Sequence, residues 1–180
     1  INGISKNNIQ LGDDVLVVGT GPIGLLHVQL ARNFGARVIA CDLIDDRLEI
    51  AKKVGAHNTL NPSKENNPVE KIKELTDGRG ADSVIVAVGS TKAIDLGIKC
   101  AGIQGKVNIF AGTYPPSTLK IDPNDIHYKE TFVIGSHDFT PHNFTVALKM
   151  IEFGMVKVKP LISHEFSLKD IKKGFDTVVN

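Results

Sequence analysis

Val15-Leu16-Val17-Val18-Gly19-Thr20-Gly21-Pro22-Ile23-Gly24 is the stretch on which the fold turns. Four apolar, mostly β-branched residues in an unbroken run read as a strand covered on both faces. Gly19 ends the run. Pro22 suits the first turn of a helix, where its missing N–H is no loss. Ile23, Leu26, Leu30, Ala31 and Phe34 then recur at helical spacing until Gly35 stops them. The glycines spell G-x-G-x-x-G between a strand and a helix, the context that gives this short pattern meaning. Gly19 permits a tight turn, Gly21 leaves the backbone open to a pyrophosphate, and Gly24 lets the helix pack close to the strand. Gly19, Thr20, Gly21, Pro22, Ile23 and Gly24 therefore form a candidate phosphate-binding turn. The helix N-terminus behind it offers unpaired N–H groups and the positive end of a dipole.

Working outward, Arg37-Val-Ile-Ala-Cys41 reads as a second strand, and Asp42 follows it, 18 residues past Gly24. An acidic side chain there accepts hydrogen bonds from the hydroxyls of an adenosine ribose. It also repels a 2′-phosphate, by about 4 kcal/mol at about 4 Å and an effective dielectric of about 20. Leu43, Ile44, Asp45 and Asp46 supply no arginine to cradle such a phosphate, so the site reads as one for NAD rather than NADP. Arg47 either closes over the adenosine or pairs with Asp45 or Glu49. Asp45 is the expected N-cap of the next helix.

The alternation continues through Asn58–Leu60, Ser83–Ala87, Lys106–Phe110 and Thr131–Gly135 as strands. Helices are expected over 69–75, 91–100, 144–153 and 168–178. Strands separated by helical segments predict an α/β fold: a doubly wound, parallel, six-stranded Rossmann sheet in the order 3-2-1-4-5-6, with helices on both faces. Ligands of such sheets sit beyond the carboxyl ends of the strands. Ala87, Val88 and Gly89 are candidate cofactor residues on that ground, as are Phe110, Ala111 and Gly112. The long stretch 112–130 breaks the rhythm, and Leu119-Lys-Ile121 is a possible short extra strand.

Composition excludes several partners. A net charge of +1 gives no electrostatic case for nucleic acid or an anionic membrane. No apolar run nears the roughly 20 residues needed to cross a bilayer. Cys41 and Cys100 read as reduced core residues, which favours a cytoplasmic setting. The six histidines, among them His137 and His142 around Pro141, form no chelating pattern, so no metal site is expected within the chain.

With these residues in place, the sequence resembles the cofactor domain of medium-chain, zinc-type alcohol dehydrogenases. The strings that carry the likeness are Gly12-Asp-Asp-Val-Leu-Val-Val-Gly-Thr-Gly-Pro-Ile-Gly-Leu25, Asp42 with Arg47-Leu-Glu49, Ala51-Lys-Lys-Val-Gly-Ala56, Gly80-Ala-Asp-Ser-Val-Ile-Val-Ala-Val-Gly89 and Gly105-Lys-Val. Asp125-Ile-His-Tyr-Lys-Glu130 and Lys159-Pro-Leu-Ile162 are most similar to the polyol and threonine dehydrogenase branch. The resemblance implies that Asp42 and Arg47 hold the adenosine, Gly19 to Gly24 the pyrophosphate, and Phe110 to Gly112 the nicotinamide end. It implies zinc and a proton relay in a separate catalytic domain, whose G-H-E motif and four clustered cysteines are not found here. Residues 1–180 are thus expected to be the NAD-binding part of a longer chain, inactive alone and continuing past Asn180. The family also pairs two such domains edge to edge, which implies a homodimer through residues 131–135 and 117–121. A short-chain dehydrogenase needs Tyr-x-x-x-Lys, but Thr118 and Phe132 stand four residues after Tyr114 and Tyr128. A non-catalytic NAD-sensing module is the remaining alternative.

Overall fold

Six strands run through the structure in chain order: β1 (Asp14–Val18), β2 (Arg37–Cys41), β3 (Asn58–Leu60), β4 (Ala81–Val86), β5 (Ala101–Ile109) and β6 (Phe132–Gly135). The computed structural model describes residues 1–179, so position 180, where the chain is expected to run on, lies outside them. The strands form one sheet in the order β3-β2-β1-β4-β5-β6, with every neighbouring pair parallel. This is the doubly wound order that the alternating pattern predicts. The helices are α1 (Asn2–Asn7), α2 (Pro22–Asn33), α3 (Asp45–Val54), α4 (Pro68–Leu75), α5 (Thr91–Cys100), α6 (Pro123–His127), α7 (Pro141–Glu152) and α8 (Ile171–Val179). Among the described residues, no helix is long and apolar enough to cross a membrane.

β1 is buried at every position because both of its faces are covered. Val15 and Val17, with Val38, Ala40 and Ile85, pack under α2 and α3 through Leu25, Val28 and Leu48. Leu16 and Val18, with Ile39, Val84 and Val86, face α4 and α5 through Ile72, Ile94 and Ile98. Each fully buried aliphatic side chain stabilises by about 1.5–3 kcal/mol, so both faces hold the strand in register. At the amino ends, the buried Asp14 carboxylate accepts two bonds from Arg37, at 2.5 and 2.9 Å, and one from Arg79 at 2.7 Å. One anion so ties β1, β2 and the turn before β4.

Local pattern placed most elements, and tertiary contacts moved the rest. α1 was not expected. It is six residues long and is held by buried side-chain bonds: Asn7 Nδ2 donates to Ser83 Oγ at 2.5 Å, and Asn108 Nδ2 donates to Asn7 Oδ1 at 2.7 Å. α7 starts at Pro141 rather than Phe144, because Thr140 and Asn143 form a reciprocal capping box. β5 begins at Ala101 rather than Lys106, with a register shift against β4 between Ala81 and Ser83. Leu119-Lys-Ile121 forms no strand; Leu119 and Ile121 instead pack against the α4–α5 face of the core. Asp45 does not cap α3. It is the first helical residue after Ile44, and its carboxylate takes Asn61 Nδ2 at 2.9 Å and Lys64 Nζ at 2.5 Å.

His27 on α2 is only 3% exposed, and its ring meets Phe110 edge to face at 4.6 Å between centroids. Its Nδ1 has no hydrogen-bond partner. Burial disfavours the imidazolium and pushes the pKa from 6.5 down to about 4. The folded state thus binds the proton less tightly than the unfolded chain does. Stability is therefore full above pH 6.5 and is lost as pH falls from 6.5 toward 4, by about 3 kcal/mol in total. His27→Leu should abolish that component and remove the orphan nitrogen. Urea midpoints at pH 7.5 and 4.5 are expected to separate far less in the variant than in the parent chain. Equal separation would show that His27 contributes nothing to acid sensitivity.

Candidate functional site

Parallel pairing brings the carboxyl ends of β1, β2 and β4 to one edge of the sheet. Three backbone bonds past the strand ends fix them there: Gly19 N–H to Cys41 O at 2.8 Å, Ala87 N–H to Val18 O at 2.8 Å, and Asp42 N–H to Leu60 O at 3.1 Å. A cleft of about 570 Å³ opens above them. Gly19, Gly21, Asp42, Arg47, Ala87 and Val88 line it, six of the residues picked from the sequence. Leu43, Ile44 and Pro62 supply an apolar wall on one side, and Ala93 and Leu96 of α5 supply one on the other. Ser63, Ser90 and Lys92 add polar groups that sequence reasoning missed. The α5 pair was legible only as the helical period of residues 91–100, which does not say which face meets a ligand.

Asp42 is the organised charge of the cleft. Its side chain is 8% exposed. Oδ2 accepts the Thr20 N–H at 2.6 Å and the Thr20 hydroxyl at 3.0 Å, and Oδ1 accepts the Ile44 N–H at 3.0 Å. Oδ2 thus has both acceptor sites taken, while Oδ1 keeps one. Thr20 is fully buried, so its part is to position Asp42 rather than to meet a ligand with its side chain. Arg47 stands 4.0 Å from Asp42 Oδ2. It pairs with neither Asp45 nor Glu49, whose partners are Lys64 and Lys52.

The glycines of the turn differ in what requires them. Gly19 has φ +90°, and a Cβ there would stand 2.9 Å from the Val88 Cβ. A Cβ on Gly24 would fall 1.8 Å from the Gly19 carbonyl oxygen, the close helix–strand approach that the motif predicts. Gly21 is different: a Cβ would meet nothing within 4 Å, and φ is −62°. No side chain caps α2, so its first-turn N–H groups stay open beside Gly21.

The other predicted positions divide. Pro22 and Ile23 open α2, and Ile23 is half exposed, but neither lines the cleft. Gly89, Phe110, Ala111 and Gly112 do not line it either. Gly89 packs against the chain itself, since a Cβ there would lie 2.4 Å from Gly112 O. The Phe110 side chain turns to the α1–α2 side and packs on His27. The N–H groups of Phe110 and Ala111 both donate to Val86 O, at 3.0 and 3.1 Å. Cys41 lines the cleft floor, but burial pushes its thiol up to about 12, so it stays neutral and inert.

The chain matches the zinc-binding dehydrogenase family over residues 22–152. It belongs to that family. It is 36% identical over 178 residues to L-threonine 3-dehydrogenase of Bacillus velezensis, covering 98% of this chain and 51% of that protein. It is 30% identical over 176 residues to D-arabitol-phosphate dehydrogenase of Enterococcus avium, covering 97% and 49%. The fold superposes on 2R,3R-butanediol dehydrogenase from Bacillus subtilis with a TM-score of 0.90 at 28% identity, over 99% and 51% of the two chains. A protein from Sinorhizobium meliloti 1021 solved with NADP gives 0.91 at 30% identity, over 99% and 52%. This chain spans about half the length of the relatives it matches. The zinc in the family's name finds no fit here: among the described residues, no three His, Cys, Asp or Glu side chains converge to hold a metal.

Thr20→Val tests the support of Asp42. It deletes one of the three donors to a covered carboxylate and should cost about 1–3 kcal/mol of folding stability. Thr20→Ser, which keeps the hydroxyl, should lose less. Urea unfolding of both variants gives the comparison, and a Val variant as stable as the parent would deny the bond any weight.

Proposed function

We propose that this chain is the NAD(H)-binding part of a dehydrogenase that oxidises an alcohol or polyol by hydride transfer. The observation that carries the reading is Asp42: a covered carboxylate with free acceptor capacity at the end of β2, facing the same cleft as the glycine turn. The site left on Oδ1 suits a ribose hydroxyl. Gly21 and the open N–H groups of α2 suit the pyrophosphate, and the apolar walls of Ile44, Pro62 and Leu96 suit adenine. Nicotinamide supplies the hydride acceptor when bound. Phe110 turns away from that end, so of the residues the resemblance assigns to it, Ala111 and Gly112 would act through backbone. The relatives' names, which are those of polyol and threonine dehydrogenases, favour this reading over a sensing module. Zinc and the substrate are assigned to the part of the parent that this chain does not span. Two buried free thiols support a reducing, cytoplasmic setting.

Titration calorimetry with NADH and NADPH tests the cofactor. NADH should bind at least tenfold more tightly, the equivalent of about 1.4 kcal/mol, and Asp42→Gly should narrow the gap chiefly by weakening NADH. Gly21→Ser should leave folding stability unchanged, since its Cβ meets open space and serine caps helices well. The same variant should weaken NADH by more than about tenfold, as a blocked phosphate contact requires. Equal affinity for both cofactors in the unchanged chain would refute the role given to Asp42.

The same proposal includes a homodimer through β6. This strand ends the sheet, and Phe132 and Val133 on it are 54% and 37% exposed. The strand itself, Phe132–Gly135, holds no proline or charged residue, and the Lys6 ammonium donates to the Gly135 carbonyl at 3.0 Å. The 117–121 segment adds no strand there, so any part it takes in the contact is through side chains. Val133→Lys or Ile134→Pro should convert a dimer to a monomer in light scattering during size exclusion. A monomeric parent chain at tens of micromolar, a usual working range for folded-chain association, would refute the dimer.

A further inference from the structure

Lys92 sits in the first turn of α5, where the positive end of the helix dipole disfavours a cation. The carboxylate one turn along, Asp95, already accepts from Lys99 at 2.7 Å. Among the described residues, the Lys92 ammonium meets no hydrogen-bond or ion-pair partner. Helical Cα–Cβ bonds tilt toward the N-terminus, so this side chain reaches back over the carboxyl edge of the sheet and lines the cleft. Ala93 and Leu96 on the same helix form the apolar wall opposite Ile44 and Pro62. An exposed ammonium thus stands beside the apolar walls of the cleft.

We propose that Lys92 is a specificity-determining residue that reads adenine. Its methylenes close the slot, and its ammonium exchanges a water for a purine ring nitrogen as acceptor. This rests on the cofactor reading above. Adenine rather than pyrophosphate is the target because of the faces involved. The phosphate turn leads into α2, whose side chains pack on one face of the sheet, while α5 packs on the other. Arg47 stands beside Asp42, at the ribose side of the cleft.

Lys92→Met keeps the length and apolar stem of the side chain and removes the donor; Lys92→Arg restores a donor. Affinities of the whole chain for NADH, for adenosine and for reduced nicotinamide mononucleotide are measured by calorimetry and competition. Lys92→Met should weaken NADH and adenosine alike, by about tenfold, and leave the mononucleotide unchanged. Lys92→Arg should recover most of the loss. Weakening of NADH with adenosine unaffected would assign Lys92 to phosphate and overturn the proposal, as would unchanged NADH affinity. If the parent chain binds neither NADH nor adenosine, the cofactor reading itself falls first, a result distinct from either of those.

Discussion

A covered carboxylate needs hydrogen-bond donors, and three donors meet Asp42. Two come from Thr20 in the β1–α2 turn and one from Ile44 at the head of α3. The same side chain therefore fixes two crossovers relative to each other. Moving either turn by an ångström would leave a covered charge short of a partner, which costs more than the same hydrogen bond gains when made. The open features of the cleft follow from that lock. Gly21 and the first turn of α2 are held beside Asp42, and the Ile44 wall is held above it. Much of the site's geometry is thus the consequence of satisfying one anion.

The parts legible in the sequence are those that a few adjacent residues decide. Val15–Val18, the glycine turn and Asp42 form one short segment and its parallel neighbour, and each element there has a local reason. The doubly wound order was also legible, because alternating strands and helices admit few connections. What the sequence hid depends on distant partners. α1 is short and held by Asn108, a hundred residues away, so no local pattern announces it. Phe110 stands at a strand end, where a ligand is the natural guess, yet the pleat turns it toward His27. Gly89 looked like a place for cofactor to approach, while its neighbour is the backbone of Gly112. A glycine's sequence context tells that space is needed, and only the fold tells what fills it.

The two ends of the sheet treat charge in opposite ways. At the amino ends, Asp14 is matched by Arg37 and Arg79, and Asp77 and Asp82 complete the cluster. That anion is buried and its acceptors are used from within the chain. At the carboxyl ends, Asp42 keeps acceptor capacity, α2 keeps open N–H groups and Lys92 keeps an unpaired ammonium. Buried polar groups that find partners internally hold a fold together. Groups of both signs left open around an apolar slot are better matched to a ligand that carries phosphates, hydroxyls and a base together.

The fold itself does not choose between dinucleotides, since a close structural relative was solved with NADP. The choice falls to the few residues after β2, where a negative and a positive side chain stand 4.0 Å apart. Their effects on a 2′-phosphate oppose each other, and burial decides which is larger. Arg47 is half exposed, so water and salt weaken its field. Asp42 is 8% exposed and held in place, so its repulsion is screened less and cannot be relieved by moving away. To bind a 2′-phosphate, Arg47 would also have to leave the one anion it now accompanies, exposing Asp42 further to the incoming charge. On the proposed cofactor reading, the balance at this pair favours a ribose with both hydroxyls free, through the same Thr20 and Ile44 bonds that hold the carboxylate still.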